Sequence, residues 1–310
     1  MEEAANPRRS WPAGARFGTW TAPDGWALRR MDWPHGGPGE ARGSLLFANG
    51  RGDFIEKYLE AGDHWHRRGW NVAAFDWRGQ GGSIGPGFAF ESFDVLVDDL
   101  AALLADWRAD TPGPHVAIGH SMGGHLLLRT LVERAPALDA AVLVAPMIDV
   151  NSAPTPAWLA PAIASTMCRL GLGPRPMWRS PPGAHAFGSQ RQRNLTGSSE
   201  RYEDEQYWWA KEPGWNLGAP SWAWMRAAFR SAAAAFTPGK LKRATLPVLL
   251  LAAAHDRLVS LKEIARAAKL LPAAELEVFD EAAHEILRDA DPIRLAAFAR
   301  IDTFLDAHVR

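Results

Sequence analysis

Cysteine is nearly absent from this sequence, whose 310 residues include a single one, Cys168. A framework of intramolecular disulfides is thereby excluded, and so is a zinc site built from several cysteines. The chain also lacks any apolar run of the ~18 residues that a membrane span needs. Its longest such run, from Pro247 to Ala254, has the length of a β-strand. We expect Cys168 to be a packing residue.

An excess of charge of either sign is missing as well. The 34 basic residues nearly balance the 35 acidic ones, which gives a formal net charge of −1. Because nucleic-acid binding depends on a basic surface, we expect no nucleic-acid partner. The first residues include Glu2 and Glu3, and no apolar segment follows them, unlike a secretory signal peptide. We therefore expect a cytoplasmic protein.

Short apolar segments alternate with amphipathic ones along most of the chain. The turn signal Asp24-Gly25 predicts a hairpin over residues 19–30. Further strands are predicted at 44–48, 71–75, 115–118, 140–145, 247–251 and 275–279, with helices at 53–68, 93–107, 122–134, 261–271 and 291–308. This order predicts an α/β fold whose mostly parallel central sheet carries helices on both faces. Asp291 is expected to cap the last helix.

Two regions depart from the alternation. Residues 1–14 are polar and interrupted by prolines, which predicts a flexible terminus. Residues 151–242 hold much of the proline, glycine and tryptophan and show no strand pattern. We interpret them as a mainly helical cap, or lid, inserted into a core of residues 15–150 and 243–310. In open α/β sheets the ligand lies at the carboxyl edge of the strands, which this cap would cover.

Two segments match G-x-S-x-G, the pattern of a nucleophile elbow between a strand and a helix. Gly119-His-Ser-Met-Gly123 follows a predicted strand and precedes a predicted helix. Gly81-Gly-Ser-Ile-Gly85 has neither neighbour, so we expect Ser83 to be a structural loop residue. Ser121 is the candidate nucleophile. Glycines 119 and 123 are expected because side chains there would collide with neighbouring turns.

A serine hydroxyl needs a histidine base, and that histidine needs a carboxylate to orient it. Asp256 and His284 each follow a predicted strand, in the chain order serine, acid, histidine. Both would then lie at the same sheet edge as Ser121. Asp149, which follows the strand before the cap, remains an alternative acid. The histidines expected to have structural roles are His64, His66, His120, His125 and His255.

Acyl transfer also needs donors for the oxyanion. The backbone amide of Met122, at the start of a predicted helix, is one candidate. The loop Asn49-Gly-Arg-Gly52 follows the first central strand, and the amide of Arg51 is the other candidate.

The sequence resembles the α/β-hydrolase superfamily and, within it, the monoacylglycerol lipase and bacterial lysophospholipase branch. The motifs that carry the resemblance are Gly119-His-Ser-Met-Gly-Gly124, Asp76-Trp-Arg-Gly-Gln-Gly-Gly-Ser83, Ala254-His-Asp256 with His284, and the cap segments Asn194-Leu-Thr, Glu200-Arg-Tyr202 and Gly218-Ala-Pro-Ser-Trp222. The resemblance implies Ser121 as nucleophile, Asp256 as acid and His284 as base. Two positions depart from the family pattern. Asn49 stands where the family usually has histidine, and Gln80 replaces a frequent histidine, a change expected to affect loop packing.

Tryptophan is abundant, with 15 residues against 3 tyrosines. Those in the predicted cap are Trp158, Trp178, Trp208, Trp209, Trp215, Trp222 and Trp224. They form either the cap's own small core or an apolar wall for an acyl chain. We expect Trp208, Trp209 and Trp222 to contact substrate. Peripheral contact of the paired tryptophans with a lipid surface stays open, although no basic amphipathic helix accompanies them.

These features favour a serine hydrolase that cleaves carboxylic esters of lipid-like substrates, such as a lysophospholipid or a monoacylglycerol, through an acyl-enzyme. No metal or other cofactor is implied. A general carboxylesterase, thioesterase, lactonase or aminopeptidase on the same triad is the alternative, and a non-catalytic hydrolase-fold binding protein is a third. Dehalogenase and epoxide-hydrolase chemistry is disfavoured, because those relatives use aspartate where this chain has Ser121.

Overall fold

The computed structural model describes residues 6–85, 90, 92–179, 183–237 and 239–309. Its strands are β1 (Arg16–Thr21), β2 (Ala27–Trp33), β3 (Gly43–Ala48), β4 (Trp70–Phe75), β5 (His115–His120), β6 (Ala140–Val144), β7 (Val248–Ala253) and β8 (Ala274–Phe279). Its α-helices are α1 (Leu59–His66), α2 (Asp94–Asp110), α3 (Met122–Glu133), α4 (Ala160–Arg169), α5 (Gln190–Leu195), α6 (Ser199–Lys211), α7 (Trp222–Ala235), α8 (Leu261–Leu270) and α9 (Asp291–His308).

The strands form one sheet in the order β1-β2-β4-β3-β5-β6-β7-β8. β1 and β2 pair antiparallel, as do β2 and β4, whereas every pair from β4 to β8 is parallel. The predicted hairpin and mostly parallel sheet are therefore confirmed. Parallel strands β5, β6 and β7 all run toward one edge, so the residues that follow them in sequence meet there.

Helices cover both faces of the sheet, as predicted. Every residue of the central strands β3, β5, β6 and β7 is buried. Alternate residues of a strand point to opposite faces, so Leu46 joins the core that contains α2, α3 and α8. Leu45 joins the core on the other face, with α1 and α9. Burial on both sides explains why these strands are apolar throughout rather than alternating.

One helix start and one helix cap differ from the prediction, and in both places an aspartate binds another group. The helix expected from residue 53 begins as a short 3₁₀ helix, Ile55–Tyr58, and continues as α1. The carboxylate of Asp53 instead accepts a hydrogen bond from the Gly50 amide at 2.9 Å. Asp291 lies in the first turn of α9 after the cap residue Ala290, and its carboxylate binds Arg201 at 2.6 Å.

The described residues between 151 and 242 form helices α4 to α7, in agreement with a mainly helical insertion. Helix α7 packs against α4, and its residues Met225 and Ala228 join the core that contains α2 and α3. Within the described parts of the chain, no helix combines the length and the hydropathy that a membrane crossing requires.

The N-terminal segment contacts the cap where a flexible terminus was expected. The guanidinium groups of Arg8 and Arg9 each lie 2.5 Å from a carboxylate oxygen of the buried Asp204 in α6. The indole of Trp208 donates to the carbonyl of Arg8 at 3.0 Å. These partners are distant in sequence, so the local pattern of residues 1–14 carries no sign of them.

Candidate active site

Ser121 lies on a strained turn between β5 and α3. Its backbone angles, φ 52° and ψ −115°, fall in a region that non-glycine residues rarely occupy. The flanking glycines make the turn feasible. A Cβ atom at Gly119 would lie 2.7 Å from the carbonyl oxygen of Gly123, and one at Gly123 would overlap the carbonyls of Ala48 and Asn49. The predicted reason for both glycines is confirmed.

The three side chains predicted for the triad lie in one hydrogen-bonded line. The Ser121 hydroxyl is 2.8 Å from Nε2 of His284, and Nδ1 of His284 is 2.6 Å from Oδ2 of Asp256. Oδ1 of Asp256 accepts the amides of Leu258 and Val259 at 2.8 and 3.0 Å. With the imidazole proton on Nδ1, His284 donates to Asp256 and accepts from Ser121, which is the arrangement that base catalysis requires.

Electrostatics within this line favour a charged His284–Asp256 pair. Burial alone would lower the pKa of His284, but the Asp256 carboxylate and its hydrogen bond raise that pKa above its ordinary value. Burial would raise the pKa of Asp256, yet His284 and the two amides lower it. The imidazolium that forms when Ser121 loses its proton is therefore stabilised.

The alternative candidates have other hydrogen-bond partners. Asp149 accepts its neighbour's amide, Val150, at 2.9 Å, and His284 binds Asp256 instead. Ser83 is buried in a loop, where its hydroxyl donates to the carbonyl of Asp76 and accepts from the amide of Arg29, both at 2.7 Å.

The remaining histidines have separate surroundings. His125 is fully buried beside Ser231, at 2.6 Å, and burial lowers its pKa to about 3, so it is neutral. His64 lies 2.9 Å from Asp302, and His255 is exposed. The ring of His66 stacks on Trp33 with centroids 4.1 Å apart.

The loop after β3 presents one unoccupied amide between two occupied ones. The amide of Gly50 donates to Asp53 at 2.9 Å, and the amide of Gly52 donates to Oε1 of Gln80 at 2.6 Å. Within the described chain, the amides of Arg51 and Met122 have no hydrogen-bond partner. Gln80 thus holds this loop directly, a role beyond the loop packing expected for it.

Beneath this loop lies a buried charge cluster that the sequence analysis missed. The ammonium of Lys57 lies 2.5 Å from Asp53, 2.7 Å from Glu205 and 2.8 Å from Glu285. Burial would lower the pKa of Lys57, but the three carboxylates raise it well above its ordinary value. The carboxylates come close enough to hold a cation, all within 4.8 Å, and the Lys57 ammonium contacts each of them. The only local signal was the i,i+4 spacing of Asp53 and Lys57.

His120 connects this cluster to the loop that carries His284. The Tyr58 hydroxyl lies 2.7 Å from Asp53 and 2.7 Å from Nδ1 of His120. Nε2 of His120 lies 3.3 Å from the carbonyl oxygen of His284. His120 therefore supports the geometry of the turn, in line with its predicted structural role.

A cavity of about 1020 Å³ extends from Ser121 and His284 up between the core and the cap. Much of its lining is apolar, contributed by Met147, Val150, Ile163, Met177, Trp178, Trp209, Leu217, Trp222, Trp224, Met225, Phe229 and Leu258. Of the three tryptophans expected to contact substrate, Trp209 and Trp222 line this cavity. Trp208 does not, because its indole is only 4% exposed, stacks near Trp215 and bonds to the N-terminal segment.

Comparisons with known proteins agree with this architecture. A lysophospholipase L2 of Escherichia coli is 29% identical over 287 residues, which cover 85% of this chain and 80% of that protein. A probable lysophospholipase L2 of Haemophilus influenzae is 27% identical over 84% of this chain and 83% of its own length. The crystal structure of a soluble monoglyceride lipase variant from Saccharomyces cerevisiae superimposes with a TM-score of 0.74 at 17% identity, over 99% of this chain and 100% of that one.

These relatives confirm the predicted resemblance to the monoacylglycerol lipase and lysophospholipase branch. The family described as Serine aminopeptidase, S33 matches residues 39–291, which include Ser121, Asp256 and His284. The match spans most of the chain, so the protein belongs to this family of α/β-hydrolases.

Proposed function

We propose that this chain hydrolyses carboxylic esters of lipid-like substrates, such as lysophospholipids or monoacylglycerols, with Ser121 as nucleophile. The observation that carries the proposal is the continuous hydrogen-bonded line from Ser121 through His284 to Asp256 at the floor of a largely apolar cavity. Curated relatives named lysophospholipase L2 and monoglyceride lipase support the same substrate class.

The geometry leads to a two-step acyl transfer. His284 takes the proton of Ser121 as Oγ attacks the ester carbonyl, and the negative carbonyl oxygen turns toward the free amides of Arg51 and Met122. Asp256 stabilises the imidazolium. His284 then gives its proton to the leaving alcohol as the ester bond breaks, which leaves the acyl group on Ser121. A water molecule, deprotonated by His284, attacks the acyl-enzyme, and His284 returns that proton to Oγ of Ser121 as the acid is released.

The apolar lining favours an acyl chain as the bound part of the substrate. Burying one CH₂ group contributes ~0.8 kcal/mol, which corresponds to a rate factor of about four if it is realised in the transition state. We therefore expect the specificity constant to rise with acyl length until the cavity is filled.

Hydrolysis of p-nitrophenyl esters of increasing acyl length tests the proposal, with the Ser121→Ala variant beside the parent protein. The expected result is turnover by the parent with a defined length optimum, and a loss of at least about a thousandfold in Ser121→Ala. If the parent is inactive on every ester, the proposal is wrong. Amide, thioester and lactone substrates, followed by ligand-binding assays, then test the alternative acyl-transfer and non-catalytic functions.

We propose peripheral contact between the cap and a lipid surface, but through residues other than the paired tryptophans. Trp208 and Trp224 are buried, so neither can enter a membrane. Among the described residues of the cap, the exposed large apolar side chains are Trp158, Ile163, Leu170, Trp178 and Phe187. Co-sedimentation with phosphatidylglycerol vesicles, compared between the parent and Trp158→Ser, tests this contact. Subcellular fractionation tests the proposed cytoplasmic location.

A further inference from the structure

The ionic groups that line the cavity are unequally paired. The cations are Arg51, Lys57, Arg191 and Arg257, and the acids are Asp53 and Glu285. Lys57 binds both of these acids as well as Glu205. Arg191 lies 2.5 Å from the second carboxylate oxygen of Glu205. Arg257 is exposed to solvent at its place in the lining. Arg288 also binds Glu285, so Lys57, Arg191 and Arg288 balance the three carboxylates. Arg51 is the half-buried lining cation left without an acidic partner among the described residues.

Arg51 is held in place without a counter-ion among the described residues. Its guanidinium donates to the carbonyl oxygen of Gly218 in the cap at 3.0 Å and lies 5.2 Å from the ring centroid of Trp224. No carboxylate of the described residues comes within 4.0 Å of it. Burial lowers the pKa of Arg51 to about 10, so the group remains charged at neutral pH. A guanidinium has five N–H donors, and a single carbonyl leaves most of them for a ligand.

A partly desolvated cation without a counter-ion attracts an anion into the same space. Arginine binds phosphate well, because its planar fork gives two parallel, charge-assisted hydrogen bonds. The aromatic ring beneath the guanidinium and the bond to Gly218 orient this fork in advance, which lowers the entropy lost on binding.

We propose that the side chain of Arg51 recognises the phosphate of a lysophospholipid-type substrate whose ester carbonyl lies at the amide of the same residue. The proposal rests on the function proposed above and narrows its substrate class from lipid-like esters in general to those that carry a phosphate. In a lysophospholipid the phosphate and the acyl ester occupy opposite ends of one glycerol unit. The backbone amide of Arg51 would therefore bind the ester carbonyl at one end of the glycerol, and its guanidinium would bind the phosphate at the other. The acyl chain would lie in the apolar part of the cavity.

The first test compares two substrates with the same acyl chain, 1-octanoylglycerol and 1-octanoylglycero-3-phosphate, both below their critical micelle concentrations. We expect the parent to have a specificity constant at least about tenfold higher for the phosphate ester, the value of a charge-assisted hydrogen bond. Arg51→Met keeps the backbone amide, and its specificity constants for the two substrates should differ by no more than about twofold. Arg51→Lys, which keeps the charge and loses the fork, should retain part of it.

The matched control is Arg230→Met, which removes an exposed arginine of α7 that does not line the cavity. This variant should keep the parent's preference. Equal specificity constants of the parent for the two substrates overturn the proposal without any variant. An equal loss on both substrates in Arg51→Met also overturns it.

The second test measures binding and needs no catalysis. Ser121→Ala is titrated with 1-O-octylglycero-3-phosphate and with 1-O-octylglycerol, with tryptophan fluorescence as the readout. We expect this variant to bind the phosphate ether preferentially and to lose that preference when Arg51→Met is added. This result supports the subsite even if the parent hydrolyses no ester. In that case only the proposed function has failed. Inorganic phosphate distinguishes the source of the anion. If phosphate alone binds as tightly as the phosphate ether, Arg51 marks a free-phosphate site and the lipid assignment is wrong.

Discussion

The ammonium of Lys57 in the core lies 2.7 Å from a carboxylate oxygen of Glu205 in cap helix α6. The same ammonium binds Asp53, which holds the Gly50 amide, and Glu285, which follows His284 in the chain. One buried cation thus connects the loop of the proposed oxyanion hole, the loop of the proposed base and the cap.

Replacing this cation should impair both stability and catalysis. Lys57→Met leaves three carboxylates buried without their shared partner, and breaking a buried ion pair costs about 3–5 kcal/mol. We expect a fall in Tm of several degrees and a lower kcat on p-nitrophenyl butyrate, because Gly50 and His284 lose support. Lys242→Met, an exposed lysine, is the control and should match the parent. An unchanged Tm and kcat in Lys57→Met would mean that the cluster has no such role.

The pH dependence of ester hydrolysis should report the His284–Asp256 pair. His284 acts as a base only when neutral, and its pKa is raised above the ordinary value of about 6.5. The specificity constant should therefore rise with pH, with a midpoint above about 6.5. Asp256→Asn removes the charge that raises this pKa while burial, which lowers it, remains. The pH profile of Asp256→Asn should therefore move to lower pH, and its kcat should fall about 10⁴-fold. A midpoint unmoved by Asp256→Asn would exclude Asp256 as the partner of His284.

The close approach at Gly123 predicts a sharp steric effect. The Cβ atom of Gly123→Ala would overlap the carbonyl oxygens of Ala48 and Asn49, which must then shift. Overpacking of this kind costs about 1–3 kcal/mol, and here it also displaces the amide of Met122. We expect a lower Tm and a loss of ester hydrolysis. Gly18→Ala is the matched control, because a Cβ atom there meets open space. Equal activities of the two variants would contradict the crowding described for the elbow.

Two tryptophans of the cap should behave differently on truncation. Trp222 lines the cavity, so Trp222→Ala should enlarge it and move the optimum toward longer acyl chains. Trp208 is buried outside the cavity, so Trp208→Ala should lower stability by about 3–5 kcal/mol with an unchanged length optimum. Thermal unfolding and the p-nitrophenyl ester series measure both effects. A shifted optimum in Trp208→Ala would restore its predicted contact with substrate.

Local sequence patterns were sufficient to predict the sheet with its helical insertion, and they selected the three side chains of the proposed triad. Strand and helix periodicity located Ser121, Asp256 and His284 after parallel strands, and parallel strands bring such residues to one edge. Glycines 119 and 123 could also be explained from the sequence, because side chains at these positions would collide with neighbouring turns.

Long-range pairing was beyond those patterns. Lys57 meets partners 148 and 228 residues away, and Arg8 meets Asp204 across 196 residues. The residues that flank a charged residue in the sequence do not indicate which distant carboxylate it will bind. The orientation of Trp208 depends in the same way on Trp215 and on the N-terminal segment, which is why its placement in the cavity was wrong.

Covalent trapping tests the role of Ser121 most directly. The parent protein is incubated with an alkyl fluorophosphonate, and intact mass and peptide mapping locate the adduct. The prediction is one adduct per chain, on Ser121, that forms in parallel with the loss of esterase activity and is absent in Ser121→Ala. Ser83→Ala should label as the parent does, provided that it folds. No adduct on a folded, ester-hydrolysing parent, or an adduct on another serine, would contradict the proposed nucleophile.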